Sequence, residues 1–182
     1  YQRKQEQENL DPLTGLPNRR LFTNRMQRHL DRSSYIKDPT SVIMVDADHF
    51  KQVNDHGRYF VDGQWYFQHA AGDKLLQDIA KTLEASVRPG DLVARIGGEE
   101  FAIGLPLTDL HEAKVVAERI RKRIFTTTQH TVSLGVTSYP QPTSELDLTV
   151  LLQHADAALY AAKEAGRNRY AIYTPGLERK AL

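Results

Sequence analysis

Leu92-Val93-Ala94-Arg95-Ile96-Gly97-Gly98-Glu99-Glu100-Phe101-Ala102-Ile103-Gly104-Leu105 is the stretch on which the fold turns. Two apolar runs flank a pair of glycines, the pattern of a β-hairpin closed by a two-residue turn. Upstream, Ala71, Leu75, Leu76, Ile79, Leu83 and Val87 recur at helical spacing, and Pro89-Gly90 ends the run. Before that helix, Val42-Ile43-Met44-Val45 reads as a buried strand that stops at Asp46-Ala47-Asp48. Downstream, Leu110, Ala113, Val116, Ala117, Ile120 and Ile124 predict another helix, and the stretch Thr131–Thr137 another strand. Strand, helix, strand, strand, helix, strand is the βαββαβ order of a ferredoxin-like α+β core.

Extra helices flank that core. Asp11-Pro12-Leu13-Thr14-Gly15-Leu16-Pro17-Asn18 is dense in turn formers, and Asn18 suits the N-cap of a helix buried through Leu21, Phe22, Met26 and Leu30. A last helix carries Leu151, Ala155, Ala158, Leu159 and Ala162, with Gly166 as its C-cap and Tyr170–Tyr173 as a short strand beyond. The 182 residues suit one domain, expected over 11–174 with a tail at 175–182. The polar residues 1–10 read as the end of a helical stalk or linker, or as a disordered end.

Composition narrows the function. A net charge of +1 supplies no general field for nucleic acid or an acidic membrane, so neither is expected as a partner, and phosphate binding must come from local placement. Without cysteine there are no disulfides and no thiolate metal sites. No apolar run approaches a membrane span. The domain is expected in the cytoplasm, whether or not its parent chain is membrane-anchored.

Three stretches can carry chemistry. Asp46-Ala47-Asp48-His49-Phe50-Lys51 places carboxylates, hard oxygen donors for Mg²⁺, at a strand end. Gly97-Gly98-Glu99-Glu100 puts two more at a hairpin turn, and Lys163 to Arg169 gathers cations around a helix end. Each alone has a plain reading: acidic residues ending a strand, a solvated turn, basic residues favoured by a helix dipole. In the βαββαβ plan the strand and the hairpin lie side by side, so Asp46 and Glu99 would meet, and two carboxylates repel unless a cation lies between them. Such a site belongs to phosphoryl-transfer chemistry.

From Asp11 to Tyr173 the chain resembles the GGDEF family of diguanylate cyclases. The resemblance rests on residues 11–20 (DPLTGLPNRR), 46–55 (DADHFKQVND), 69–73 (HAAGD), 97–101 (GGEEF) and 158–169 (ALYAAKEAGRNR). It implies a core like that of nucleotide cyclases and polymerase palms, and condensation of two GTP into cyclic di-GMP with release of pyrophosphate. Asp46, the carbonyl of Ala47 and Glu99 would hold Mg²⁺, or Mn²⁺ in its place. Glu99 would also serve as base for the attacking 3′-hydroxyl, with Glu100 as the second acidic residue of the signature. Asn54 and Asp73 would read guanine, and His69 would contact substrate. Backbone amides of His49 and Phe50 would cradle phosphates. Lys163 and Arg167 would grip the triphosphate, with Lys51 adding charge. Each domain of the family binds one GTP, so a homodimer is implied. Arg88 and Asp91, with Arg119 in a secondary patch, match the RxxD site at which cyclic di-GMP inhibits.

The chain departs from the family between Asn54-Asp55 and His69. An added segment of about ten residues, long for a connection inside a compact unit, stands there. Asp62-Gly63 between apolar and aromatic residues predicts a small β-hairpin. Gln68 replaces the glycine that normally precedes the histidine. Either the hairpin projects outward over an unchanged pocket, or Trp65, Tyr59 or Phe67 covers the base or meets a partner domain.

Two further functions compete with the cyclase. A catalytically impaired domain would bind cyclic di-GMP through Arg88 and Asp91 alone. A relaxed enzyme would make a mixed cyclic dinucleotide; Asp73 argues against it, because relaxed base choice in the family goes with another residue there.

Overall fold

A computed structural model describes residues 9–36, 38–139 and 147–177. The expectations for residues 1–8 and 178–182 fall outside these. Asn9 and Leu10, expected with the stalk, are instead tied to the domain: Leu10 bridges Pro17, and the Asn9 carbonyl accepts from Asn18 N–H at 2.9 Å.

Helices are α1 (Arg19–Ile36), α2 (Phe50–His56), α3 (Gln68–Glu84), α4 (Leu110–Thr128) and α5 (Leu148–Glu164). Strands are β1 (Thr40–Ala47), β2 (Arg58–Val61), β3 (Gln64–Phe67), β4 (Leu92–Arg95), β5 (Glu100–Pro106), β6 (Val132–Tyr139) and β7 (Tyr170–Ile172). The main sheet runs β4-β5-β1-β6-β7. β1 is antiparallel to both β5 and β6, and β7 adds in parallel to β6. This is the expected ferredoxin-like core, widened by one strand.

Every residue of β1 is buried, because helices cover both faces of the sheet. The two-residue period sorts its side chains. Ile43, Val45 and Ala47 join the cluster with Leu75, Ile79 and Ile120 from α3 and α4. Val42 and Met44 join Phe22, Met26, Leu151 and Leu159 from α1 and α5. Burial of this kind is worth about 1.5–3 kcal/mol per large side chain. The alternation places the next even residue, Asp46, on the α5 side, where the end of that helix can reach it.

Local signals act as expected at α1 and α5. Asn18 Oδ1 accepts from Leu21 N–H at 3.1 Å, capping α1. After α5, Gly166 turns to φ 114°; its N–H bonds the Lys163 carbonyl at 3.2 Å, and Arg167 N–H bonds the Ala162 carbonyl at 3.1 Å. Those two bonds form a Schellman cap. Helix α3 stops at Glu84, short of the predicted Val87. Past it the backbone tightens, Ser86 N–H bonding the Leu83 carbonyl at 3.0 Å, and the Ser86 carbonyl accepts from Arg119.

The Gly97-Gly98 turn is a correction. A two-residue hairpin turn of type I′ needs positive φ at both central residues, and neither glycine has it. Strand pairing ends at Arg95 opposite Phe101, and the N–H groups of Ile96 and Gly97 both reach the Glu100 carbonyl. The loop is therefore longer. Gly97 packs against Glu100: a Cβ there would meet the flexible end of the Glu100 side chain, which would have to move aside.

The predicted inserted hairpin is present as the two-stranded sheet β2-β3. Its Asp62-Gly63 turn has φ 52° and 79°, the I′ geometry absent at the other hairpin. The Gln68 N–H donates to the Gly57 carbonyl at 2.9 Å, so the chain leaves and re-enters at one point. Gln68 itself takes φ 50°, a conformation that suits the glycine usual at this place.

Candidate active site

Four segments build the site: the tip of β1, the turn before β5, the α2–α3 pair and the end of α5. Asp46 is 4% exposed at the end of β1. The β1–β5 register sets Glu100, rather than Glu99, directly across from it. Glu99 stands one residue outward, its carbonyl accepting from Ala47 N–H at 3.2 Å. The sequence expectation of Asp46 facing Glu99 is thus corrected: the β1–β5 register puts Glu100 opposite Asp46 and leaves Glu99 just past the last paired residue.

Charge converges on Asp46. Burial pushes its pKa up to about 6, opposed by a hydrogen bond and ion pair from Lys163. The nearby Glu99 and Glu100 raise it further. Lys163 Nζ lies 2.8 Å from Asp46 Oδ2. Among the described residues, no three or more His, Asp or Glu side chains cluster as a ready metal cage. The donor set is Asp46, Glu99 and the Ala47 carbonyl. All are hard oxygens, and Mg²⁺ keeps several waters and needs only one or two protein carboxylates, so the residues fit. A buried carboxylate destabilised by two acidic neighbours is also a place where a cation would be favoured.

Helix α2 begins beside β1, with His49 at φ 56° and no side chain capping its first amides. Lys51 is exposed on its first turn. Asn54 lies against α3: a Cβ on Gly72 would fall on Asn54 Oδ1. Asp73 follows Gly72, and His69 occupies the first turn of α3; both are exposed. The insertion therefore leaves Asn54 beside the Gly72-Asp73 pair. Arg167, at φ 62°, is exposed past the α5 cap.

Tyr59 does not line this region, which removes it as a cover for a base. It is buried, and its hydroxyl bonds Asp78 Oδ2 at 3.0 Å. The opposite face of the hairpin carries Phe60, Trp65 and Phe67, exposed by 54%, 51% and 60%. The guanidinium of Arg58 sits 5.2 Å from the Trp65 ring centre.

Arg88, Asp91 and Arg119 line one cavity of about 360 Å³ behind the sheet edge. Arg88 Nε bonds Asp91 Oδ1 at 3.3 Å, and its Nη2 bonds Thr108 Oγ1 at 2.9 Å. Arg119 donates from Nε and Nη2 to the Ser86 carbonyl, at 3.1 and 2.7 Å.

Sequence reasoning passed over Arg95 and Asp11 as a pair. Arg95 Nη1 lies 3.1 Å from both Asp11 carboxylate oxygens, while its Nε and Nη2 bond the Gly98 carbonyl at 3.1 and 2.7 Å. It joins the N-terminal turn to the glutamate-bearing loop. No local pattern signals a contact across this separation.

A palm-like α+β sheet with acidic residues gathered at a strand tip and a neighbouring turn defines the class, that of the nucleotide cyclases and polymerase palms. Within it, the chain belongs to the GGDEF family: the family model described as diguanylate cyclase, GGDEF domain, matches residues 8–169. It is 36% identical over 170 residues to the diguanylate cyclase DgcP of Pseudomonas aeruginosa, covering 89% of this chain and 23% of DgcP. The GGDEF domain of PA1120 (TpbB or YfiN) from Pseudomonas aeruginosa superimposes with a TM-score of 0.81 at 32% identity, over 92% of this chain and 96% of that one. The active GGEEF domain of a diguanylate cyclase from Vibrio cholerae gives 0.75 at 31% identity, over 87% and 98%. The chain spans between 23% and 35% of the length of the first curated relatives it matches. No described helix is long and apolar enough to cross a membrane.

Proposed function

We propose that this chain is a metal-dependent diguanylate cyclase domain that joins two GTP into cyclic di-GMP and works as a homodimer. The convergence of Glu99, Glu100 and Lys163 on buried Asp46 carries this reading. Asp46, Glu99 and the Ala47 carbonyl would hold Mg²⁺ or Mn²⁺, which would neutralise charge developing on the phosphate oxygens. Glu99 takes the proton from the 3′-hydroxyl of one GTP. That oxygen bonds the α-phosphorus of the other GTP, and pyrophosphate leaves. A second such step closes the ring. Asn54 and Asp73 read the guanine edge, with His69 beside them. The His49 and Phe50 amides, Lys51, Lys163 and Arg167 hold the phosphates. Since one domain presents one GTP, two copies must face each other, and their positioning is the main catalytic contribution.

Product is proposed to bind the Arg88–Asp91 cavity, with Arg119 at its wall, and to restrain the dimer. The alternative of a binding-only module was motivated by the interrupted guanine loop. The hairpin closes at its base and leaves Asn54 against Gly72, which favours the active enzyme. Incubating the dimerised chain with GTP and Mg²⁺ should yield cyclic di-GMP, and Glu99→Ala should yield none. Binding of cyclic di-GMP that is lost in Arg88→Ala, with no turnover under any condition, would instead establish the binding module.

A further inference from the structure

Asp48 lies two residues beyond the proposed metal carboxylate, is 5% exposed, and has no part in the scheme above. Its carboxylate collects three donors. Ser133 Oγ reaches Oδ1 at 2.7 Å, while Thr131 Oγ1 at 2.7 Å and Asn168 N–H at 3.1 Å reach Oδ2. Its own N–H bonds the Thr131 carbonyl at 3.0 Å. One side chain therefore joins the tip of β1, the start of β6 and the turn after α5.

That turn is tied to β6 at its far end, where Leu134 N–H donates to the Arg169 carbonyl at 2.9 Å, but its middle needs a further hold. Gly166, Arg167 and Asn168 have φ of 114°, 62° and 46° in succession. For Arg167 this left-handed conformation is uncommon and costs about 1–2 kcal/mol, while Asn168 is of a type that adopts it more readily. The Schellman bonds fix the turn only as far as Arg167. Beyond it, Asn168 is held by Asp48 on one side and by Arg121 Nη1, 2.8 Å from its Oδ1, on the other. Lys163 and Arg167 sit on this cap.

We infer that Asp48 is a positioning residue: it bolts the Gly166–Arg169 turn to the tip of β1, so that Lys163 and Arg167 address the same triphosphate as Asp46. The inference rests on the cyclase reading for the ligand, and the side chain's chemistry explains the residue type. The Asn168 N–H can only donate, and a carboxylate accepts from it and from both hydroxyls with the added strength of its charge. An amide of the same shape, its nitrogen turned to the Ser133 hydroxyl, keeps only neutral hydrogen bonds, and the hold on the turn slackens.

The test is calorimetric titration of the full chain and its Asp48→Asn variant, in Mg²⁺, with pyrophosphate and with GMP. Pyrophosphate probes the grip of Lys163 and Arg167; GMP probes the guanine end. The expected result is pyrophosphate affinity lower by about tenfold, the scale of a hydrogen bond to a charged group, with GMP affinity within twofold of the parent. The KM for GTP should rise in step with the loss of pyrophosphate binding. A purely structural role would lower the melting temperature and weaken both ligands alike, and that result overturns the inference, as do unchanged affinities. A parent chain that fails to bind pyrophosphate overturns it too. A parent that binds both ligands but makes no cyclic di-GMP sinks the cyclase reading and leaves the Asp48 measurement intact. If Asp48→Asn does not fold, Ser133→Ala removes one of the two hydroxyls that orient the Asp48 carboxylate and leaves the carboxylate itself in place. It must shift pyrophosphate in the same direction and spare GMP, or the inference fails.

Discussion

The ammonium of Lys163 and the carboxylate of Asp46 form an ion pair at 2.8 Å, tying the last turn of α5 to the tip of the central strand. The pair reduces the cost of burying Asp46 without cancelling it, since burial still pushes that carboxyl up to about 6. Between about pH 4 and pH 6 the folded chain keeps a proton that the unfolded chain has released. Stability therefore falls as pH rises through that window, and the loss is complete above it. Asp46→Asn resembles the neutral carboxyl and escapes the loss. In chelator at pH 8 it is expected to be more stable than the parent by about 1–3 kcal/mol, an advantage that fades toward pH 4, while making no cyclic di-GMP. Denaturant melts at several pH values check this. A variant less stable than the parent at pH 8 would mean that Asp46 is held by its partners rather than strained by burial.

Gly72→Ala addresses the guanine end. The new methyl would land on Asn54 Oδ1, and the residue lies inside a helix, where alanine is otherwise preferred. Asn54 must rotate away. The expected outcome is a KM for GTP raised on the order of tenfold or more, the usual scale for losing a polar contact to a base, with kcat much less affected. Steady-state kinetics reads the split. An unchanged KM would show that Asn54 makes no use of its place beside Gly72.

The fold was legible where a regular period governed it. The strand at 42–45 and the helical runs through Ile79 and Ile120 stand as expected, because burial on one or both faces writes directly into residue spacing. Asp62-Gly63 announced its turn correctly, since positive φ is what that dipeptide is suited to. Gly97-Gly98 misled, because two glycines in a longer loop without positive φ look the same in sequence as two chosen for it. The Asp48–Asn168 and Arg95–Asp11 contacts were hidden for a different reason. Each is a side chain reaching across a large sequence separation, which the three-dimensional register fixes and no local pattern records.

The inserted hairpin should divide into an anchoring face and a free one. Tyr59→Phe removes the hydroxyl from Asp78 and leaves that buried carboxylate with Lys74, so about 1–2 kcal/mol of stability is expected to be lost. Trp65→Ala, on the exposed face, is expected to change stability by no more than about 0.5 kcal/mol. Urea denaturation compares them. Equal losses would show that the outer aromatics are packed in solution, and the outward-projecting hairpin would have to be abandoned.

Arg95 offers the sharpest test of how the glutamate-bearing loop is held. Its guanidinium spans Asp11 and the Gly98 carbonyl, a two-sided task that a planar fork can do and an ammonium cannot. Arg95→Lys keeps the charge and loses one side. Glu99 follows Gly98 directly, so a loop drifting by about an ångström is expected to lower kcat on the order of tenfold to a hundredfold, with KM for GTP nearly constant because the guanine contacts lie elsewhere. Stability supplies an independent reading. Burial alone would raise the Asp11 carboxyl, but hydrogen bonds from Thr14 and Arg95 hold it below the usual carboxylate value. A depressed carboxyl stabilises the fold above its unfolded pKa and ceases to do so as pH falls through its folded one. The stability gap between the parent and Arg95→Lys should accordingly be widest near neutrality and narrow below about pH 4, the ordinary range for an aspartate. A double-mutant cycle with Asp11→Asn isolates the pair. Additive losses at neutral pH would show that Arg95 acts through Gly98 alone, and the link from the N-terminal turn to the catalytic loop would be broken.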